Sequence, residues 1–107
     1  MIYLAGPYSH EDPKVREQRF EALTKKAAEL RIDGLVIFSP ITHGHAIADR
    51  HDLPLDFQWW QNQCLDILSR ATSMVVLRLP GYDESKGVSA EIAHAERLNI
   101  KIEFMNP

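Results

Sequence analysis

The stretch LRLPGYDESKGVSAEIAHAERL, Leu77 to Leu98, sets one carboxylate where an apolar strand, a polar loop and a helix meet. Helical projection at about 100° per residue puts Val88, Ile92, Ala95 and Leu98 on one face. Glu91 falls at the edge of that face, while Arg97 points away. An outward acid in a first turn would only complement the helix dipole. An inward one needs a reason to leave water, and that reason is often chemistry.

Arg19 is the second polar residue on an apolar face, that of Val15, Leu23 and Leu30. A guanidinium there either snorkels to water or reaches the loops above the sheet, where it suits a phosphate or carboxylate. Arg16 projects to the side and reads as a surface charge. His43, His45 and His51, with Asp49 and Asp52, raise a metal site, but their spacing matches no zinc motif, so no metal and no cofactor are expected. GPYS lacks the glycine array and Lys-Ser/Thr pair of a P-loop. Cys64 projects into the apolar middle of its helix, where a thiol ordinarily packs. Trp60 shares that face with Phe57, Ile67 and Leu68 and reads as core; Trp59 lies off it, free to stack on a base or fill a subunit interface.

The elements that must position these residues alternate in type. Ile2 to Ala5 reads as a strand. Asp12-Pro13 starts a helix to about Ile32, closed by Asp33-Gly34 in a left-handed cap. Residues 35–39 form a second strand stopped by Pro40. A long His-rich connection follows, with at most a short helical turn inside. A helix over about 55–71, a buried strand over 73–79, a helix over about 88–98 and a more alternating strand over 100–104 complete the chain. This pattern predicts one α/β domain spanning 1–107, a small doubly wound parallel sheet of order 2-1-3-4 with helices on both faces. Its switch point lies between the first and third strands, beside the loops GPYSHED and PGYDESKG.

Composition narrows the partners. A formal net charge of -3 argues against a nucleic-acid polymer but leaves room for a small anion. One cysteine permits no internal disulfide and fits a reducing compartment, and no apolar run approaches a membrane span or a signal peptide. A cytoplasmic protein is expected.

Three stretches in order, IYLAGPYS, SPITHGH and DESKGVSAEIAHA, give the chain a resemblance to the nucleoside 2-deoxyribosyltransferase superfamily over nearly its whole length. That group includes 2′-deoxynucleoside 5′-monophosphate N-glycosidases. The resemblance implies that Glu91 is the carboxylate that attacks the anomeric carbon or stabilises an oxocarbenium-like centre. At a helix N-terminus it would stay ionised. Tyr3 would orient it. Ser85 stands where the transferases are acidic and the monophosphate hydrolases carry Ser, so it would hold a 5′-phosphate at the helix start, with Ser9 and Arg19 as further contacts. Gly6 and Gly87 would let backbone approach the ligand, and His43 would sit at the mouth. The resemblance also implies a homodimer or higher homo-oligomer, often with a neighbouring chain closing the pocket.

One position departs. The group's proton donor, an Asp on the inward face of the second helix, aligns with Cys64; Asp66 projects to solvent, and Asp56 reaches the site only if its loop folds back. The expected function is hydrolysis of the base–sugar bond of a nucleoside or deoxynucleoside 5′-monophosphate. Base exchange onto a nucleoside acceptor is the alternative within that chemistry. The Cys64 departure favours a non-catalytic nucleotide-binding protein, and a metal-dependent hydrolase stands third.

Overall fold

The computed structural model describes residues 1–54 and 56–107. Its elements run β1 (Ile2–Ala5), α1 (Pro13–Ile32), β2 (Ile37–Phe38), α2 (Pro40–Ala48), α3 (Phe57–Leu68), β3 (Ser73–Leu77), α4 (Lys86–Arg97) and β4 (Lys101–Met105). All four strands are parallel, in the order β2-β1-β3-β4. This is the α/β fold and strand order that the alternation of elements predicts.

Alternation along the two central strands divides the core. Tyr3, Ala5, Met74 and Val76 face one way and pack with Leu68 of α3 and with Val88 and Ala95 of α4. Leu4, Val75 and Leu77 face the other way and pack with Leu23 and Leu30 of α1. Helices therefore cover both faces. Each burial draws on the same hydrophobic term, roughly 25 cal/mol per Å² of apolar surface removed from water.

Helix ends follow local chemistry. The Asp12 carboxylate accepts the Lys14 N–H at 2.9 Å, and Pro13 occupies the first helical position of α1. At the other end Gly34 adopts φ 91°, with Gly34 N–H bonded to Arg31 O and Leu35 N–H to Leu30 O. That is the Schellman closure expected of Asp33-Gly34.

Several expected boundaries move. The second strand covers only Ile37–Phe38, because the Leu35 N–H closes α1 and Val36 is 70% exposed. The third strand ends at Leu77, where the N–H of Leu79 turns back to the Leu77 carbonyl at 2.9 Å. The last strand starts and ends one residue later than expected. The helix expected over 55–71 spans Phe57–Leu68, capped by Asp56; Leu55 lies outside the described residues.

The largest correction is α2. Pro40 does not merely stop a strand: it is the first residue of a nine-residue helix whose N-cap, Ser39, accepts the Thr42 N–H at 3.3 Å. Ser39-Pro40 repeats the signature of Asp12-Pro13.

Candidate active site

A cleft of about 500 Å³ opens at the carboxyl ends of β1 and β3, at the switch point of the sheet. Its lining comes from five segments. The loop after β1 supplies Gly6, Tyr8, Ser9 and His10, and α1 supplies Arg16. Helix α2 presents Ile41, Gly44, His45 and Ala48, one face at i, i+3, i+4 and i+7. Helix α3 adds Phe57, Trp60, Gln61 and Cys64, and the start of α4 adds Ser85, Gly87 and Glu91.

Glu91 is 7% exposed and shares the inward side of α4 with Val88 and Ala95. Among the described residues lining the cleft it is the only carboxylate. Its Oε2 accepts a short hydrogen bond from the hydroxyl of Tyr3, a residue with no exposed surface. Adjacent pairing of β1 and β3, with Tyr3 opposite Met74, fixes where that hydroxyl arrives.

The electrostatics differ from the sequence expectation. Helix α4 begins at Lys86, two residues earlier than expected, so Glu91 is its sixth residue and no acid lies in the first turn. The dipole acts mainly within that first turn. Burial wins instead and pushes the Glu91 carboxyl up to about 7, with the Tyr3 hydrogen bond opposing it. Glu91 therefore titrates near neutrality rather than remaining ionised throughout. Burial, then the charge of Glu91, holds the Tyr3 hydroxyl far above the ordinary phenol range, so it stays a donor. Burial, then the same charge, raises the Cys64 thiol to about 11. Cys64 thus lies beside Glu91, at the position where the resemblance implies an acid, and it remains a protonated thiol at neutral pH.

Ser85 caps α4, its Oγ accepting the Val88 N–H at 3.2 Å, while its own proton stays available at the cleft. Gly87 has open space around its would-be Cβ, with Ser85 Oγ at 3.8 Å. Gly6 lines the cleft and also serves packing: a Cβ there would lie 2.7 Å from Leu23 Cδ2. Ser9 is exposed at the rim.

Two expected ligand residues lie elsewhere. Arg19 turns inward from α1, but its guanidinium donates to the carbonyls of Ser9, at 2.9 Å, and Pro80, at 3.1 Å. It ties the loop after β1 to the loop after β3 and lines a separate shallow hollow beside Gly81. Arg16, read from the sequence as a surface charge, is the cation that lines the cleft, with its guanidinium donating to the His10 carbonyl. His43 is exposed and packs its ring against Phe38 at 5.4 Å, off the cleft-facing side of α2. His45 takes the place expected of it.

Trp60, read from the sequence as core, is at the cleft instead, its indole N–H bonded to the Pro54 carbonyl at 2.6 Å. Gly44 lets α2 approach this ring, since a Cβ there would lie 2.7 Å from Trp60 Cζ3. Trp59 packs edge-on against Trp60 at 5.1 Å. Asp66 pairs with Arg70 at 3.5 Å on the solvent side, and Asp56 caps α3, so neither acid lines the cleft.

Sequence reasoning missed Tyr8, Arg16, His45 and Gln61. The signal for His45 was available: once Ser39-Pro40 is read as a helix start, position 45 shares a face with 41, 44 and 48. Among the described residues, no three His, Cys, Asp or Glu side chains form a group that could hold a metal ion. No helix of the described residues is long and apolar enough to cross a membrane.

Residues 1–106 match the family described as Domain of unknown function (DUF1937), and the chain belongs to it. No curated protein matches the chain in sequence.

Proposed function

We propose that this DUF1937 domain hydrolyses the N-glycosidic bond of a nucleoside or deoxynucleoside 5′-monophosphate, with Glu91 attacking the anomeric carbon. The observation that carries this reading is the buried Tyr3–Glu91 pair in a switch-point cleft that has no other lining carboxylate among the described residues. A single carboxylate that titrates near 7 suits a nucleophile that is shielded from water yet ionisable at neutral pH. The Tyr3 hydroxyl orients it and steadies its charge. The attack forms a glycosyl ester on Glu91 as the base departs, and water then cleaves that ester.

The walls of the cleft fit the two ends of such a substrate. Trp60 and Phe57 offer apolar faces to a base. Ser85, the Gly87 backbone, Ser9 and Arg16 supply donors for a phosphate beside the start of α4. Ser85 favours a nucleotide over a nucleoside, because an acidic residue there would repel the phosphate. Water is the acceptor in this reading; a nucleoside acceptor would make the same intermediate a base-exchange reaction. The protein acts in a reducing, cytoplasmic compartment, in keeping with its single free cysteine. It works as a homodimer or higher homo-oligomer, for which the exposed Phe57 at the cleft supplies an apolar contact.

Cys64 supports a second reading, a nucleotide-binding protein without catalysis, since a thiol raised to about 11 is a weak proton donor. Incubation with a panel of nucleoside monophosphates, followed by chromatography for free base, separates the two. Base release that is lost in Glu91→Gln supports the hydrolase. Tight nucleotide binding without any base release supports the second reading.

A further inference from the structure

The cleft contains a second hydrogen-bonded chain that the reaction above leaves unused. The Tyr8 hydroxyl lies 2.6 Å from His45 Nδ1, and His45 Nε2 lies 3.2 Å from a Glu17 carboxylate oxygen. Three separate segments bring these groups together: the loop after β1, helix α2 and helix α1. The Phe20 ring stacks on the imidazole at 4.0 Å and 25°, which fixes its plane. Tyr8 and His45 both line the cleft that holds Glu91, whereas Glu17 is half open to solvent.

We propose that Tyr8 is the acid that protonates the departing base, with His45 replenishing its proton and Glu17 holding the imidazole. This rests on the N-glycosidase reading and supplies the proton donor that Cys64 leaves vacant. In the first step the bond from the anomeric carbon to the base nitrogen breaks, and its electron pair leaves with the base. A Glu91 oxygen forms the new bond to that carbon. The Tyr8 proton passes to the base nitrogen as the His45 Nδ1 proton passes to the Tyr8 oxygen. In the second step water attacks the anomeric carbon and Glu91 departs as a carboxylate. The water's proton passes to Tyr8, and the Tyr8 proton returns to His45.

The coupling to His45 is what makes a phenol usable here. Burial raises the Tyr8 hydroxyl above its ordinary value, and Glu17 and Asp49 add to this against the opposing charge of Arg16. Alone it would give up its proton reluctantly; in concert with an imidazolium it never carries a full negative charge. The Glu17 carboxylate, 3.2 Å from Nε2, sets the orientation of the ring.

The test compares nucleoside monophosphates with the matching sugar phosphate bearing nitrophenolate, a group that leaves without a proton. Tyr8→Phe should lower turnover of the nucleotides by roughly 10²–10⁴-fold, with a far smaller loss on nitrophenolate release. Glu17→Gln should lose less on the nucleotides, because its amide oxygen can still accept from Nε2 and hold the ring in place. In the wild type, the nucleotide rate should depend only weakly on the basicity of the leaving base. Equal losses on both substrates, or undiminished nucleotide cleavage in Tyr8→Phe, would overturn the proton-donor assignment while leaving Glu91 chemistry intact. Wild-type protein that releases neither base nor nitrophenolate would overturn both.

Discussion

Tyr3 and Glu91 lie 88 positions apart and meet in one buried hydrogen bond, hydroxyl to carboxylate, in the cleft. The bond joins the first strand to the last helix and opposes the burial that raises the pKa of Glu91. Tyr3→Phe removes the group that lowers the Glu91 pKa and leaves burial unopposed. The acid limb of the kcat/KM profile, expected near pH 7 in the wild type, should therefore move to higher pH. A limb that stays in place would show that Tyr3 does not tune Glu91.

Glu91 should also weaken the fold that holds it. Its pKa rises from 4.5 to about 7 on folding, so the folded state binds this proton more tightly than the unfolded chain. That contribution is complete below about pH 4.5 and is lost as pH rises through about 7. The loss amounts to about 3 kcal/mol in alkaline solution. Glu91→Gln cannot ionise, so urea unfolding should show the variant gaining on the wild type by that order between acidic and alkaline pH. Parallel stability profiles would contradict the burial account.

Ser85 combines a cap with a cleft position, and two substitutions separate these roles. Ser85→Ala loses the bond to the Val88 N–H and should cost about 0.5–2 kcal/mol of stability along with nucleotide affinity. Ser85→Asp keeps a capping oxygen and should retain stability while losing affinity for nucleoside monophosphates far more than for nucleosides. Thermal melts and calorimetric titration read the two effects. Equal loss for both ligands in Ser85→Asp would remove the phosphate from this corner.

Gly34 and Gly81 both adopt φ 91°, yet they should differ in tolerance. A Cβ at Gly34 meets open space, so Gly34→Ala carries only the left-handed strain, about 1–2 kcal/mol. At Gly81 the same Cβ would lie 2.7 Å from Arg19 Nη2, the arm that reaches the Pro80 carbonyl. Gly81→Ala should therefore destabilise more than Gly34→Ala and raise KM by loosening the two cleft loops. Equal destabilisation would show that Arg19 yields freely.

The fold was legible because two strong local signals agreed. Apolar runs near residues 2–5 and 73–79 marked central strands, and Asp12-Pro13 with Asp33-Gly34 marked both ends of α1. Right-handed connection then left few strand orders. The inward lean of Glu91 and the place of Ser85 at a helix start were likewise local properties. What escaped depended on packing between distant segments. Periodicity shows that Arg19 turns inward, but only the approach of two loops supplies the carbonyls that occupy it. The choice of His45 over His43 required α2, and the choice of Trp60 over Trp59 required the crossing of α2 and α3 at Gly44. The near-neutral pKa of Glu91 needed three-dimensional burial, which outweighs a dipole effect confined to the first helical turn.

The most direct test of the central claim is mass spectrometry of the protein quenched in acid during turnover of a nucleoside monophosphate. The account predicts a sugar phosphate esterified on the peptide that carries Glu91, with both the adduct and base release lost in Glu91→Gln. Base release without such an adduct, continuing undiminished in Glu91→Gln, would contradict it.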